Sequence, residues 1–377
     1  MGSIRIIGLF FLIAIASGCT IEFEPDRDIV NDQLVVEGMI TDQNRVNRIR
    51  LSRSVAVGDP LLVPRPVSGA VVSIADETGT FSTLTESPAG TYSTDSTQFR
   101  GRAGGKYSLN IIINDACYET DFTEMKPVPP VGSLYYEKVT ITGSKDTTEI
   151  EEGCRIYVDS YDPAGECRFY RWEYAETWEY RIPYAVRNKV CYVSVRSKDI
   201  LIKNTSSYSQ ARVSKFPVLF ISNKSDRLKE TYSILVNQYS LNETEFTFWE
   251  RVRNISQNVG NLYDVTPVAV PGNIRNCNDP EEEVLGYFSV SAVAQKRLFI
   301  EDHFYGLPMS FLFCATDTLT GILPDSGLDS EFWVIEDFGD EPFPFWVITT
   351  LKECADCTTR GTKVMPPYWR DFRKGNK

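Results

Sequence analysis

Near its carboxyl end the chain reads ECADCTTRGTKVMPPYW, with two residues between Cys354 and Cys357. Such a pair can hold zinc, cycle between thiol and disulfide, or serve as half of a structural cross-link. A zinc site needs further ligands, yet the sequence has one histidine, His303, and no second close pair of cysteines. A redox pair belongs at the start of a helix, where the dipole lowers the thiol pKa. Here the run before Cys354, FWVITTLKE, alternates like a strand, and Arg360-Gly361 after Cys357 reads as a loop. The pair is read as a structural staple holding Pro366, Pro367 and Trp369 against the body, with zinc and redox chemistry as the alternatives. Setting aside Cys19, eight cysteines remain as candidates for disulfides: Cys117, Cys154, Cys167, Cys191, Cys277, Cys314, Cys354 and Cys357. An even set suits an oxidising compartment, but spacing does not reveal the connectivity.

Catalytic patterns are not found. GRAGGKY resembles a phosphate loop at first sight, but three residues separate Gly101 from Gly105 where four are needed, and Tyr107 stands where Ser or Thr would hold magnesium. It reads as a hairpin loop. No G-x-S-x-G elbow occurs, and His303 in LFIEDHFYG reads as a solvated or structural residue. The acidic run EDFGDE lacks the ligand spacing of a calcium loop. No metal and no cofactor are expected. The best candidate for contact chemistry is FYRWEYAETWEYRIPY, where alternation puts Tyr170, Trp172, Tyr174, Trp178 and Tyr180 on one face. Flat aromatic faces stack sugars and peptides, and they also form cores against a second sheet.

The compartment is read from the other end. Arg5, an apolar run from Ile6 to Ala16 and the small residues before Cys19 form an export leader; a permanent membrane helix takes about 20 apolar residues. Ala16-Ser17-Gly18-Cys19 resembles a bacterial lipobox, in which the cysteine receives diacylglycerol and becomes the mature first residue. Residues 1–18 are thus the expected lipoprotein signal peptide and Cys19 the expected anchor to the membrane. Residues 19–32 are an acidic tether carrying Glu22, Glu24, Asp26, Asp28 and Asp32. A formal net charge of -12 argues against nucleic acid as a partner.

The elements that would position these residues are mainly β. LVVEGMI and GAVVSIADETGTFSTLTE alternate with period two, and Gly79, Pro88-Ala89-Gly90 and Gly104-Gly105 separate the runs. Residues 33–125 are expected to form an immunoglobulin-like or regulatory-type β-sandwich. The prolines of MKPVPPVGS mark a linker at 126–133, and 134–377 form a larger β-rich domain in which VLGYFSVSAVAQKRLFI reads as one strand. One segment is helical: in SLNETEFTFWERVRNISQNVG, Ser240 and Glu243 have capping-box spacing, Phe248, Trp249, Val252, Ile255 and Val259 line one face, and Gly260 supplies the stop.

Taken in order, LVVEGMITD, PVSGAVVSIADETG, RWEYAETWEY, YSILVNQYSL, VPGNI, VLGYFSVS, KRLFI and CADCTTRGTKVMPPYW resemble a domain-of-unknown-function family of Bacteroidota outer-membrane lipoproteins encoded beside TonB-dependent, SusC-like receptors. The resemblance implies an accessory or substrate-binding partner of a TonB-dependent outer-membrane transporter in nutrient uptake, lipid-anchored at the outer membrane on the cell surface. It implies no catalytic residue. The alternatives are a cell-envelope hydrolase acting on glycan or peptide, and an adhesive or structural surface module.

Overall fold

The alternation of LVVEGMIT is realised in the strand Leu34–Thr41, where Leu34, Val36 and Ile40 are fully buried. The computed structural model describes residues 32–55, 63–142, 150–258, 270–301, 314–320, 332–341, 343 and 345–375. The leader with Cys19, the tether as far as residue 31, Val259, Gly260 and His303 lie outside the described residues. Among the described residues the chain is mainly β, with two α-helices.

Two six-stranded sheets face each other in the first lobe. One runs through Leu34–Thr41, Arg48–Arg53 and Thr91–Ser93; the other through Val71–Asp76, Lys106–Ile113 and Ala116–Thr120. Their inner residues, among them Ile49, Leu51, Val72, Ile74, Leu109 and Ile111, share one apolar core. This is the expected sandwich, but residues 33–125 do not complete it. Leu285–Ser291 pairs in parallel with Leu34–Thr41, and Ile274–Asn276 pairs with Ala116–Thr120, where the Cys117–Cys277 disulfide crosses. Residues assigned by sequence to the second domain thus return to finish the first. Backbone spacing at the return is tight: Gly286 has φ +87°, and a Cβ there would lie 2.1 Å from the Val36 carbonyl oxygen. Across the next pairing, a Cβ on Gly38 would lie 2.3 Å from Ile49 Cδ1.

The run VLGYFSVSAVAQKRLFI is consequently two strands. Leu285–Ser291 belongs to the sandwich, Ala292 is the crossing point, and Val293–Ile300 enters the second lobe. There it joins the sheet ordered Val190–Arg196, Phe169–Arg181, Tyr232–Leu241, Val293–Ile300. A three-stranded sheet of Val131–Thr142, Ile150–Asp162 and Ala211–Ser222 packs on one of its faces, sharing a core that includes Ile156, Val158, Trp172 and Val236. A small sheet of Asp317–Thr320, Trp333–Phe338 and Phe345–Thr349 precedes the C-terminal region.

The proline segment is anchored rather than a free spacer. Val131 already begins a strand, Pro129 is buried, and its carbonyl accepts from Gln238 Nε2 at 2.8 Å. The helix spans Glu243–Asn258 with its cap two residues later than the sequence spacing predicts. Asn242 Oδ1 accepts from the Glu245 amide at 2.8 Å, while Ser240 stays in the preceding strand and its hydroxyl donates to the Lys126 carbonyl. A second helix, Pro367–Gly375, opens on proline, whose missing N–H is not needed in a first turn. Its Trp369 is fully buried, edge-on to Tyr192 and Phe299.

Candidate functional site

Three disulfides join Cys117–Cys277, Cys191–Cys357 and Cys314–Cys354. The C-x-x-C pair is therefore a staple with two legs. Cys357 ties to the strand Val190–Arg196 and Cys354 to a segment forty residues upstream. Cys154 and Cys167 lie outside these bridges, both buried. Cys154 stands eight residues before Asp162 in one strand (162 − 154 = 8), and the Asp162 carboxylate receives the Cys167 amide at 2.7 Å. At about 3.3 Å per strand residue the two sulfurs are roughly 25 Å apart, too far to bridge. Burial pushes the Cys167 thiol up to about 12, leaving it protonated and unreactive.

The aromatic contact face is interior. Tyr170, Trp172, Tyr174, Trp178 and Tyr180 are between 0% and 6% exposed, and Trp172 stacks between Tyr170 and Phe216, at 5.6 and 4.4 Å. Phe216 of the three-stranded sheet covers Trp172, Arg227 lies over Trp178, and Arg360 and the Glu353 carbonyl of the C-terminal staple cover Tyr180, so the five form core rather than a surface for a ligand. On the same face Glu176 is buried against Arg227 at 3.1 Å and the Tyr232 hydroxyl at 2.9 Å. Burial raises its pKa and the Arg227 charge opposes that rise.

A second polar cluster lies under the long helix. Arg171 sits 4.0 Å over the Trp249 ring and pairs with Glu173, which accepts from the Tyr239 hydroxyl at 3.0 Å. Burial first, then Glu173, holds the Tyr239 phenol up at about 12. Glu245 is wholly buried there; Trp249 Nε1 donates to one of its oxygens at 3.4 Å. Phe248 packs on Tyr287 of the returning strand, at 4.8 Å. These contacts lock the helix to both lobes.

An open site exists where the lobes meet. Asp42 follows the strand Leu34–Thr41; its Oδ1 accepts from the Val293 amide at 2.9 Å and its carbonyl accepts from Arg100 Nε at 2.6 Å. One residue thus clamps the turn at 100–103 to the point where the chain crosses between lobes. Beside it a groove of about 500 Å³ is lined by Asp42, Ala103, Pro127, Val128, Pro130, Val131 and residues 292–296. It continues past Asp42 and Ala103 into a hollow of about 630 Å³ lined by Asn44, Ser96, Thr97, Gln98, Arg100 and Arg102. The Asp95 carboxylate shapes this second wall by accepting from the Thr97 amide and hydroxyl at 2.8 and 2.7 Å; those bonds lower its pKa, the hydroxyl first.

Three cations, Arg100, Arg102 and Lys296, line this site with one lining carboxylate, Asp42, and the Asp95 carboxylate behind the second wall, in a chain of net charge -12. Among the described residues none of the three cations has a carboxylate partner, although Arg100 Nε and Lys296 Nζ each donate to a backbone carbonyl, those of Asp42 and Gly132. The arrangement suits binding of an anionic group by exposed cations and backbone; it brings together no nucleophile with a base. By sequence these segments have other roles: GRAGGKY reads as a hairpin loop and MKPVPPVGS as a linker. The available signal was Arg100-Gly101-Arg102, two arginines on a glycine turn in an acidic chain.

No curated protein matches the chain. Residues 20–297, which span the sandwich, its returning strands and most of the second lobe, match one sequence family. The chain belongs to that family, described as a domain of unknown function (DUF4249).

Proposed function

We propose that this protein is a lipid-anchored accessory protein of the outer membrane, facing the cell surface, that binds substrate or a TonB-dependent transporter and assists import. The observation that carries the reading is the lobe-junction groove, an open, cation-lined site on a frame fixed by disulfides and by the Asp42 clamp. The leader ending at Cys19 supports the anchoring part, because acyl chains on that cysteine would hold the frame at the membrane.

Native protein extracted gently from membranes should co-purify with a β-barrel transporter. Preparations free of any such barrel would sink the partner assignment. Cys19→Ala should release the protein from the membrane fraction, and full retention of that variant would overturn the anchor.

A further inference from the structure

Five consecutive residues, Ala292 to Lys296, line the junction groove. Successive strand side chains point to opposite faces of a sheet, so an unbroken run lines a cavity only when the cavity lies along the strand's edge. Among the described residues Val293–Ile300 is the last strand of its sheet, paired on one side with Tyr232–Leu241. The direction of its backbone follows from two bonds. The Ala292 carbonyl accepts from the Ser240 amide, toward the neighbouring strand, whereas the Val293 amide points away, to Asp42. Alternation then turns the N–H and C=O of Gln295 and Arg297 outward as well. Among the described residues no backbone group pairs with them. The facing wall is Pro127, Val128, Pro130 and Val131, where the two prolines contribute no donors to compete for this edge and Lys296 Nζ reaches across to the Gly132 carbonyl.

We propose that the groove captures an extended, carboxylate-bearing polypeptide segment, which adds as a strand to the open edge at Gln295 and Arg297 with its acidic side chains on Arg100, Arg102 and Lys296. This rests on the reading of the chain as a binding protein and names the chemistry of what it binds. Backbone pairing supplies register and most of the contact, and the uncompensated cations select acidic sequences. An oligosaccharide would gain the cations but nothing from an unpaired strand edge, so the edge favours a peptide.

The test uses the full chain and a fluorescein-labelled heptapeptide, Thr-Glu-Val-Glu-Val-Glu-Thr, followed by anisotropy. Saturable binding is expected, weakened at least about tenfold in Gln295→Pro, which removes an outward N–H and no internal ladder bond, and by a similar factor in Arg102→Glu or Lys296→Glu. A peptide N-methylated at alternate amides should lose binding to the parent protein, a readout independent of how the variants fold. Several results overturn the proposal: no saturable binding into the millimolar range, equal binding of the methylated peptide, preference for an acidic oligogalacturonate, or a self-associated dimer that occludes the groove. Co-purification with a transporter is scored separately, so failure at the groove and failure of the accessory role are distinguishable.

Discussion

The side-chain amide of Gln238 donates to the Pro129 carbonyl at 2.8 Å and to Ser160 Oγ at 3.0 Å, while its oxygen accepts from Trp172 Nε1 at 3.0 Å. One buried amide thereby joins the proline segment to both sheets of the second lobe. Replacing it by leucine, Gln238→Leu, keeps much of the volume and orphans three buried partners. With each buried orphan costing about 1–3 kcal/mol, a loss of about 3–5 kcal/mol is expected in denaturant unfolding. A midpoint unchanged from the parent would show that the segment is held by other contacts.

Glu245 gives the protein an inverted acid response. Burial raises its pKa above the ordinary 4.5, with Ser289, Arg171 and Trp249 pulling the other way. A carboxyl whose folded pKa is raised binds its proton more tightly when folded, so its contribution to stability is complete below the unfolded value and is lost as pH rises through the folded one. Glu176 shifts in the same direction, so the parent minus Glu245→Gln difference isolates the single group. The amide variant should gain on the parent as pH rises from below 4.5 toward neutrality. Parallel stability curves for the two proteins would remove this account.

Gly286→Ala places a methyl against the Val36 carbonyl at a positive φ. Strain of that kind costs about 1–3 kcal/mol before any clash is counted, so at least about 2 kcal/mol is expected. Amide exchange should accelerate first in Leu34–Thr41, the strand facing the substitution. Unaltered protection there contradicts the close approach.

Non-reducing peptide mapping should recover Cys354 with Cys314, Cys357 with Cys191 and Cys117 with Cys277. A peptide closed between Cys354 and Cys357 would refute the two-legged staple. Cys357→Ser should cost about 2–4 kcal/mol. Cys167 should resist thiol reagents until the protein is unfolded.

The strands of the sandwich could be read from local pattern because Leu34, Val36 and Ile40 point to one core and the turns between runs carry their own chemistry. Destinations could not. Nothing in SVSAVAQ marks Ala292 as the crossing point, since both strands alternate and no turn residue intervenes. The cap expected at Ser240 moves to Asn242 because Ser240 and Leu241 are held in the sheet by pairing with Tyr170 and Phe169, a constraint that no local spacing shows. An aromatic face looks alike whether a second sheet covers it or a ligand does, until that sheet is in place. The groove draws on residues 42, 100–103, 127, 128, 130, 131 and 292–296, and no local signal unites segments so far apart.

The return of Leu285–Ser291 to the first lobe also sets the order in which the molecule can be made. Asp42 and its partner Val293 are 251 residues apart in the chain, and the outer neighbour of Leu34–Thr41 lies at the same remove. A nascent chain that has released residues 32–125 still lacks that neighbour, and its sandwich keeps an unfinished edge while residues 126–284 are synthesised. Such edges recruit foreign strands, so the unfinished lobe calls for a chaperone or a delayed collapse until residue 291 has emerged. Each lobe thus waits for a strand from the same late stretch, Leu285–Ser291 for the first and Val293–Ile300 for the second.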